Sequence, residues 1–300
     1  MKAAFALFAA TAASAAVVKR QNQGDGPYGP VSYTTDDTLT RHTIYAPESG
    51  PDTPMPVLVW GNGACSDDGT SAQNFLAQVA SYGFVAIASG NPGGNGGSTT
   101  ADWMTEAVEW VVNGANGLNV DSSRIMAAGY SCGGTEAYQM QDNDAVSSIG
   151  IFNSGLLGNY EFAGQITKPI IFALGGPNDI AYGNGERDYA ALSSTLPAWK
   201  GNLNSVGHGG TYGEPNGGLF AEAAANWMLW LYQGDAEAGA YFANGAGTSA
   251  GWSDAVSQNI EGFSVPIGGG SSASASGAGA GNQTAAAVKS QRDCTQTIRI

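Results

Sequence analysis

The chain has 300 residues, and its 25 acidic against 11 basic side chains give a formal net charge of −14. That balance repels nucleic acid and anionic membrane surfaces, so neither is expected as a partner. Two widely separated histidines and three cysteines without a Cys-x-x-Cys pair offer no zinc set, and neither a metal nor a cofactor is expected.

Met1-Lys2 opens an alanine-rich apolar run to Val18, with Ala13-Ser14-Ala15 as a small-residue cleavage site. This pattern predicts a secretory signal peptide, too short for a membrane span, followed by a dibasic processing site at Lys19-Arg20 of the kind secreted fungal proteins carry. Residues 1–20 are therefore assigned to the leader, and the mature chain is expected outside the cell as a monomer. Residues 21–40 are Gly-, Pro- and Thr-rich and read as an extended lead-in.

A domain over 41–263 follows. Arg41–Pro47 alternates as a strand, and Val57-Leu58-Val59-Trp60 is a buried strand ending in Gly61-Asn62-Gly63. Phe75, Leu76, Val79 and Ala80 have helical spacing, Phe84–Ala88 is the next buried strand, and Asn91–Thr100 is a glycine-rich loop. Trp103, Ala107, Trp110 and Val111 mark a second helix. The apolar run Ile125–Ala128 then leads into Gly129-Tyr130-Ser131-Cys132-Gly133. Ser147–Phe152 and Ile170–Leu174 are further strands, Arg187–Leu192 a short helix, and Trp199–Leu203 a weaker strand. Phe220, Ala224, Trp227 and Leu231 line a closing helix. Strands alternating with helices predict an α/β fold, a mostly parallel central sheet with helices on both faces, and no inserted block large enough for a separate lid domain. From residue 264 to the end the chain is assigned to a Gly/Ser/Ala-rich tail, with a glycosylation sequon at Asn282.

The G-x-S-x-G run around Ser131 sits between a predicted strand and a predicted helix, the order of a nucleophile elbow. The same pattern at Gly247–Gly251 follows no apolar strand and has no histidine after it, so Ser249 is read as a chance match. A serine hydroxyl needs a base, and the base needs an orienting acid. His208, in a Gly-His-Gly-Gly loop after a late strand, is the candidate base. His42, on the first strand, is read as a polar position on an edge strand. Asp179 ends a strongly apolar strand, at the edge of a parallel sheet where sites assemble, and is the candidate acid. The oxyanion donors are expected from the N–H of Cys132 and from the loop Gly63, Ala64, Cys65. Donors flanking one anion would bring Cys65 and Cys132 together, either as a disulfide or as two buried thiols, with Cys294 as a rival partner. Trp60, Tyr130, Tyr182 and Tyr212 are candidate aromatic pocket residues, the alternative for each being simple packing.

Over Arg41–Tyr232 the chain resembles the α/β-hydrolase superfamily, through the Ser131 elbow, the Val120–Ile125 lead-in, the acid loop Gly175–Asp179 and the histidine loop. Within it, the Val59–Gly63 strand-loop is similar to that of dienelactone-hydrolase, chlorophyllase and polyester-hydrolase-like serine esterases. The likeness to fungal cutinases is partial: the cysteines are too few and the acid-to-histidine spacing is longer. The resemblance implies an α/β-hydrolase fold and hydrolysis of a small-molecule or polymer-attached ester without a cofactor. A serine peptidase on the same fold and a non-catalytic secreted binder are the competing readings.

Overall fold

The structure, a computed structural model, describes residues 24–260. The leader and dibasic site, Cys294, the sequon at Asn282 and the tail from 264 lie outside the described residues.

In chain order the strands are β1 (Val31–Asp36), β2 (Leu39–Pro47), β3 (Met55–Gly61), β4 (Val85–Ser89), β5 (Val120–Tyr130), β6 (Val146–Phe152), β7 (Ile170–Leu174), β8 (Ala198–Asn202) and β9 (Asp254–Gln258). They form one sheet in the order β1-β2-β4-β3-β5-β6-β7-β8-β9. The five pairings from β4 through β8 are parallel, and β1-β2, β2-β4 and β8-β9 are antiparallel. The helices are α1 (Gln73–Ala80), α2 (Ala101–Val112), α3 (Cys132–Tyr138), α4 (Tyr182–Ala191), α5 (Gly218–Met228), α6 (Ala236–Ala240) and α7 (Ala246–Ala250).

Strands β3, β4 and β7 are buried at every position, as continuous apolar runs in a parallel sheet should be when both faces are covered. Alternate residues divide between two cores. Leu58, Trp60, Ala86 and Phe152 join Phe75 and Leu76 of α1 and Phe220 and Trp227 of α5 on one face. Val57, Val59, Ile87 and Ile151 join Met104 and Val108 of α2 and Ala137 and Tyr138 of α3 on the other. The two-residue period of the strands thus delivers one sheet into two helical layers.

The register brings the carboxyl ends of the central strands level. Gly61 pairs with Gly129, Tyr130 with Phe152, Phe152 with Ala173 and Leu174 with Asn202. The connections leaving β3, β5, β6, β7 and β8 therefore emerge along one edge, where ligands assemble in open parallel sheets.

Four local expectations need correction. Part of the supposed lead-in is β1, paired antiparallel with β2; Val31 and Tyr33 alternate with polar neighbours, a short pattern masked by the surrounding Thr and Asp. His42 is not on an edge strand. β2 lies between β1 and β4, and His42 is fully buried, with Nε2 2.8 Å from the Trp103 carbonyl. The helix expected at Arg187 starts five residues earlier, at Tyr182, because the glycines that weaken its first turn also let it approach β7. A Cβ on Gly185 would stand 2.6 Å from the Leu174 side chain. Finally, β9 went unread because Asp254–Gln258 is short, polar and on the sheet's edge.

Candidate active site

At the end of β5 the chain turns sharply into α3 on a single residue. Ser131 has φ 52° and ψ −115°, a conformation that costs a non-glycine residue about 1–3 kcal/mol and is held only by surrounding structure. The restraints are visible. The Ser131 N–H donates to the Phe152 carbonyl at 3.0 Å, and Ser154 Oγ donates to the Ser131 carbonyl at 2.6 Å. Gly133 is needed because α3 lies so close to β3 that a Cβ there would overlap the Gly61 carbonyl.

The turn brings Ser131 to His208 and Asp179. His208 Nε2 lies 2.9 Å from Ser131 Oγ, and His208 Nδ1 lies 2.6 Å from Asp179 Oδ1. An ionised carboxylate can only accept, so Nδ1 carries the proton and Nε2 is left as the acceptor for the serine hydroxyl. Burial acts to raise the Asp179 pKa. Hydrogen bonds outweigh it, from His208, Asn153 and the backbone N–H groups of Ala181 and Gly175, and the acid stays below its ordinary value. The side chain of Asp179 is wholly buried, whereas that of His208 is a quarter exposed.

Asn153 was missed at the level of sequence. It follows β6 directly, is fully buried with φ 42°, and its Nδ2 donates to Asp179 Oδ2 at 2.8 Å and to the Gly207 carbonyl at 3.0 Å. Its Oδ1 accepts from the Tyr212 hydroxyl at 2.8 Å. One amide thus ties the acid, the histidine loop and an aromatic wall together. The only sequence signal was a polar residue ending an apolar strand on the edge that carries Ser131.

Cys65 and Cys132 form a disulfide with Cα atoms 5.2 Å apart. It links the short 3-10 turn Gly63–Cys65, in which Ala64 and Cys65 both have positive φ, to the first residue of α3. The Gly133 N–H also donates to the Asn62 carbonyl at 3.0 Å, a second tie between the same two segments. As the first helical residue, Cys132 has no intrahelical partner for its N–H. The segments expected to supply both anion donors are therefore fastened to each other beside Ser131.

Behind the disulfide lies Glu136, 3 % exposed. Thr99 Oγ1 donates to its Oε1 at 2.8 Å, Oε2 has no partner among the described residues, and burial pushes its pKa up to about 7 against the lowering effect of Thr99. The Cys65 and Cys132 sulfurs and a Glu136 carboxylate oxygen all lie within 4.8 Å of one another. Both sulfurs are spent in the disulfide, which leaves the carboxyl as the one remaining donor of that group.

Of the four aromatic candidates, three come together. Trp60, Tyr130 and Tyr212 line a cavity of about 80 Å³ with Gly63, Ser71 and Ala72. The Tyr130 ring lies 4.5 Å from Tyr212 and 5.4 Å from His208. Tyr182 goes elsewhere. It heads α4, packs half-buried against the second core with Glu186 and Asp254 as its nearby charges, and does not line this cavity. Ser249 lies in α7, its hydroxyl bonded to the Gly245 carbonyl. Ile180, next to Asp179, is 83 % exposed and gives the rim an apolar side chain.

No protein-family model matches the chain, and no curated protein matches it.

Proposed function

We propose that the chain is a secreted serine esterase of the α/β-hydrolase superfamily, cleaving carboxylic esters through an acyl-enzyme. The observation that carries this reading is the relay Ser131–His208–Asp179, with contacts of 2.9 and 2.6 Å, built on a strained turn. The nucleophile follows β5, the acid β7 and the base β8, which is the Ser, Asp, His order of α/β-hydrolases. The mostly parallel sheet is compatible with that fold.

In this reading the Ser131 hydroxyl oxygen attacks the ester carbonyl carbon as His208 Nε2 takes its proton. The negative charge that develops on the carbonyl oxygen is met by the N–H of Cys132 and by N–H groups of the Gly63–Cys65 turn, held in place before reaction by the disulfide. His208 returns the proton to the departing alkoxide, and the alcohol leaves. A water, deprotonated by the same nitrogen, then attacks the acyl-serine, and collapse of the second tetrahedral species restores the Ser131 hydroxyl and releases the acid. Asp179, kept ionised by its four donors, fixes the imidazole tautomer and stabilises the imidazolium.

The test compares the protein with Ser131→Ala on p-nitrophenyl esters, both confirmed folded by circular dichroism. A loss in kcat/KM of about 10⁴-fold or more is expected. Equal rates would refute the assignment of Ser131.

A further inference from the structure

The cavity beside Tyr130 has a definite size, definite walls and a definite place relative to the relay. We propose that it is the acyl pocket of this site and that it selects esters of short, unbranched acyl groups, of about two to four carbons. The assignment rests on the esterase reading given above.

Its position distinguishes the two halves of an ester. The acyl carbonyl must lie against the Gly63–Cys65 turn and Cys132, and Gly63 is itself part of the cavity wall. The alcohol must leave next to His208 Nε2, and His208 is not among the lining residues. The Tyr130 ring lies between the two regions. It packs over Gly63 so closely that a Cβ at residue 63 would overlap it, while standing 5.4 Å from the His208 ring. The cavity therefore opens on the acyl side.

Its size follows from comparison with known cavities. One of about 150 Å³ accommodates benzene. At about 80 Å³ this one holds roughly half as much, a chain of about three carbons. The lining is largely carbon, and the Ser71 hydroxyl is engaged with Asn62 Oδ1 at 3.1 Å, which suits an unsubstituted alkyl group.

The walls do not yield readily. Trp60 is fully buried, backed by Phe75 at 4.6 Å and Phe152 at 5.5 Å between ring centroids. Tyr212 is pinned by its hydroxyl to Asn153, whose other end holds Asp179. A longer acyl chain would run past these walls toward the exposed Ser71 and gain no further apolar contact, because Tyr212 is coupled through Asn153 to the catalytic acid and does not yield. The same amide that binds Asp179 thus also holds one wall of the pocket.

The experiment is a p-nitrophenyl series of acetate, butanoate, hexanoate and octanoate, run on the unaltered protein and on two variants. Ala72→Leu narrows the cavity from α1's side, and Tyr130→Ala widens it from the other. The unaltered protein is expected to reach its highest kcat/KM by butanoate and to gain nothing further at hexanoate or octanoate. The butanoate-to-acetate ratio is expected to drop about tenfold in Ala72→Leu and the hexanoate-to-butanoate ratio to rise in Tyr130→Ala. The readouts are ratios within one protein, so a change in absolute rate does not mask them, and the two variants alter different lining residues, so one suffices if the other does not fold. Rates that climb through octanoate, or ratios unmoved in a folded variant, would overturn the pocket assignment while leaving the esterase reading intact. Hydrolysis of none of the four esters would overturn both.

Discussion

Glu136 offers a sharp energetic test, because a carboxyl is buried where none of the described residues pairs with its second oxygen. Its ordinary value is 4.5, and burial moves it to about 7 in the folded chain. Between those values the folded protein holds a proton that the unfolded chain has released. Stability contributed by the neutral carboxyl is therefore complete below pH 4.5 and is lost as pH rises to about 7. The full difference corresponds to about 3 kcal/mol. A typical domain has only about 5–15 kcal/mol in total, so the loss is measurable. Glu136→Gln cannot ionise and keeps an acceptor for the Thr99 hydroxyl. Urea unfolding with the disulfide intact, at pH 4 and pH 8, should show the stability of Glu136→Gln rising by about 3 kcal/mol relative to the unaltered protein between the two conditions. Parallel pH profiles for the two proteins would mean that Glu136 ionises in the folded state as it does in the unfolded one, contrary to its burial.

Asn153→Ala removes a donor to an ionised acid, an interaction worth about 1.5–3 kcal/mol, and should lower kcat about ten- to a hundredfold with a smaller change in KM. Steady-state kinetics on p-nitrophenyl butanoate checks this, and an unchanged kcat would show that Asp179 does not need the amide. The disulfide closes a loop of 67 residues in sequence separation, so Cys65→Ser/Cys132→Ser together should cost about 4 kcal/mol of stability and lower the activity of the folded fraction. Thermal unfolding and rate, compared with the parent, measure both. Ser249→Ala should match the parent in rate, because that serine lies in α7 with its hydroxyl bonded to the Gly245 carbonyl and takes no part in the hydrogen bonds of the relay; a lost rate would contradict its placement.

Much of the sheet could be read from the chain because its central strands carry apolar runs and its turns are marked by glycine. Ser131, Asp179 and His208 were legible for a related reason: each follows a strand, and the parallel order carries strand ends to one edge. Asn153 was not legible, since an asparagine after a strand looks like any turn residue. Its role depends on β6 lying between β5 and β7, which is a property of sheet order rather than of neighbouring residues. Glu136 was hidden differently. In sequence it is an acid on a short helix, and such acids normally face water. It is buried because α3 packs glycine against glycine on β3, at Gly133 and Gly61, leaving no room for solvent between them. Tyr182 could not be placed from sequence, since an aromatic residue near an acid loop can turn either way; here it packs half-buried against the second core.

The most direct measurement of the central claim is covalent. The protein would be treated with a fluorophosphonate, digested, and the labelled peptide identified by mass spectrometry. Stoichiometric modification of Ser131 is expected, abolished in Ser131→Ala and slowed by orders of magnitude in His208→Ala, because the serine is activated only through that imidazole. An unlabelled Ser131 in folded protein, or labelling at an unchanged rate without His208, would contradict that claim.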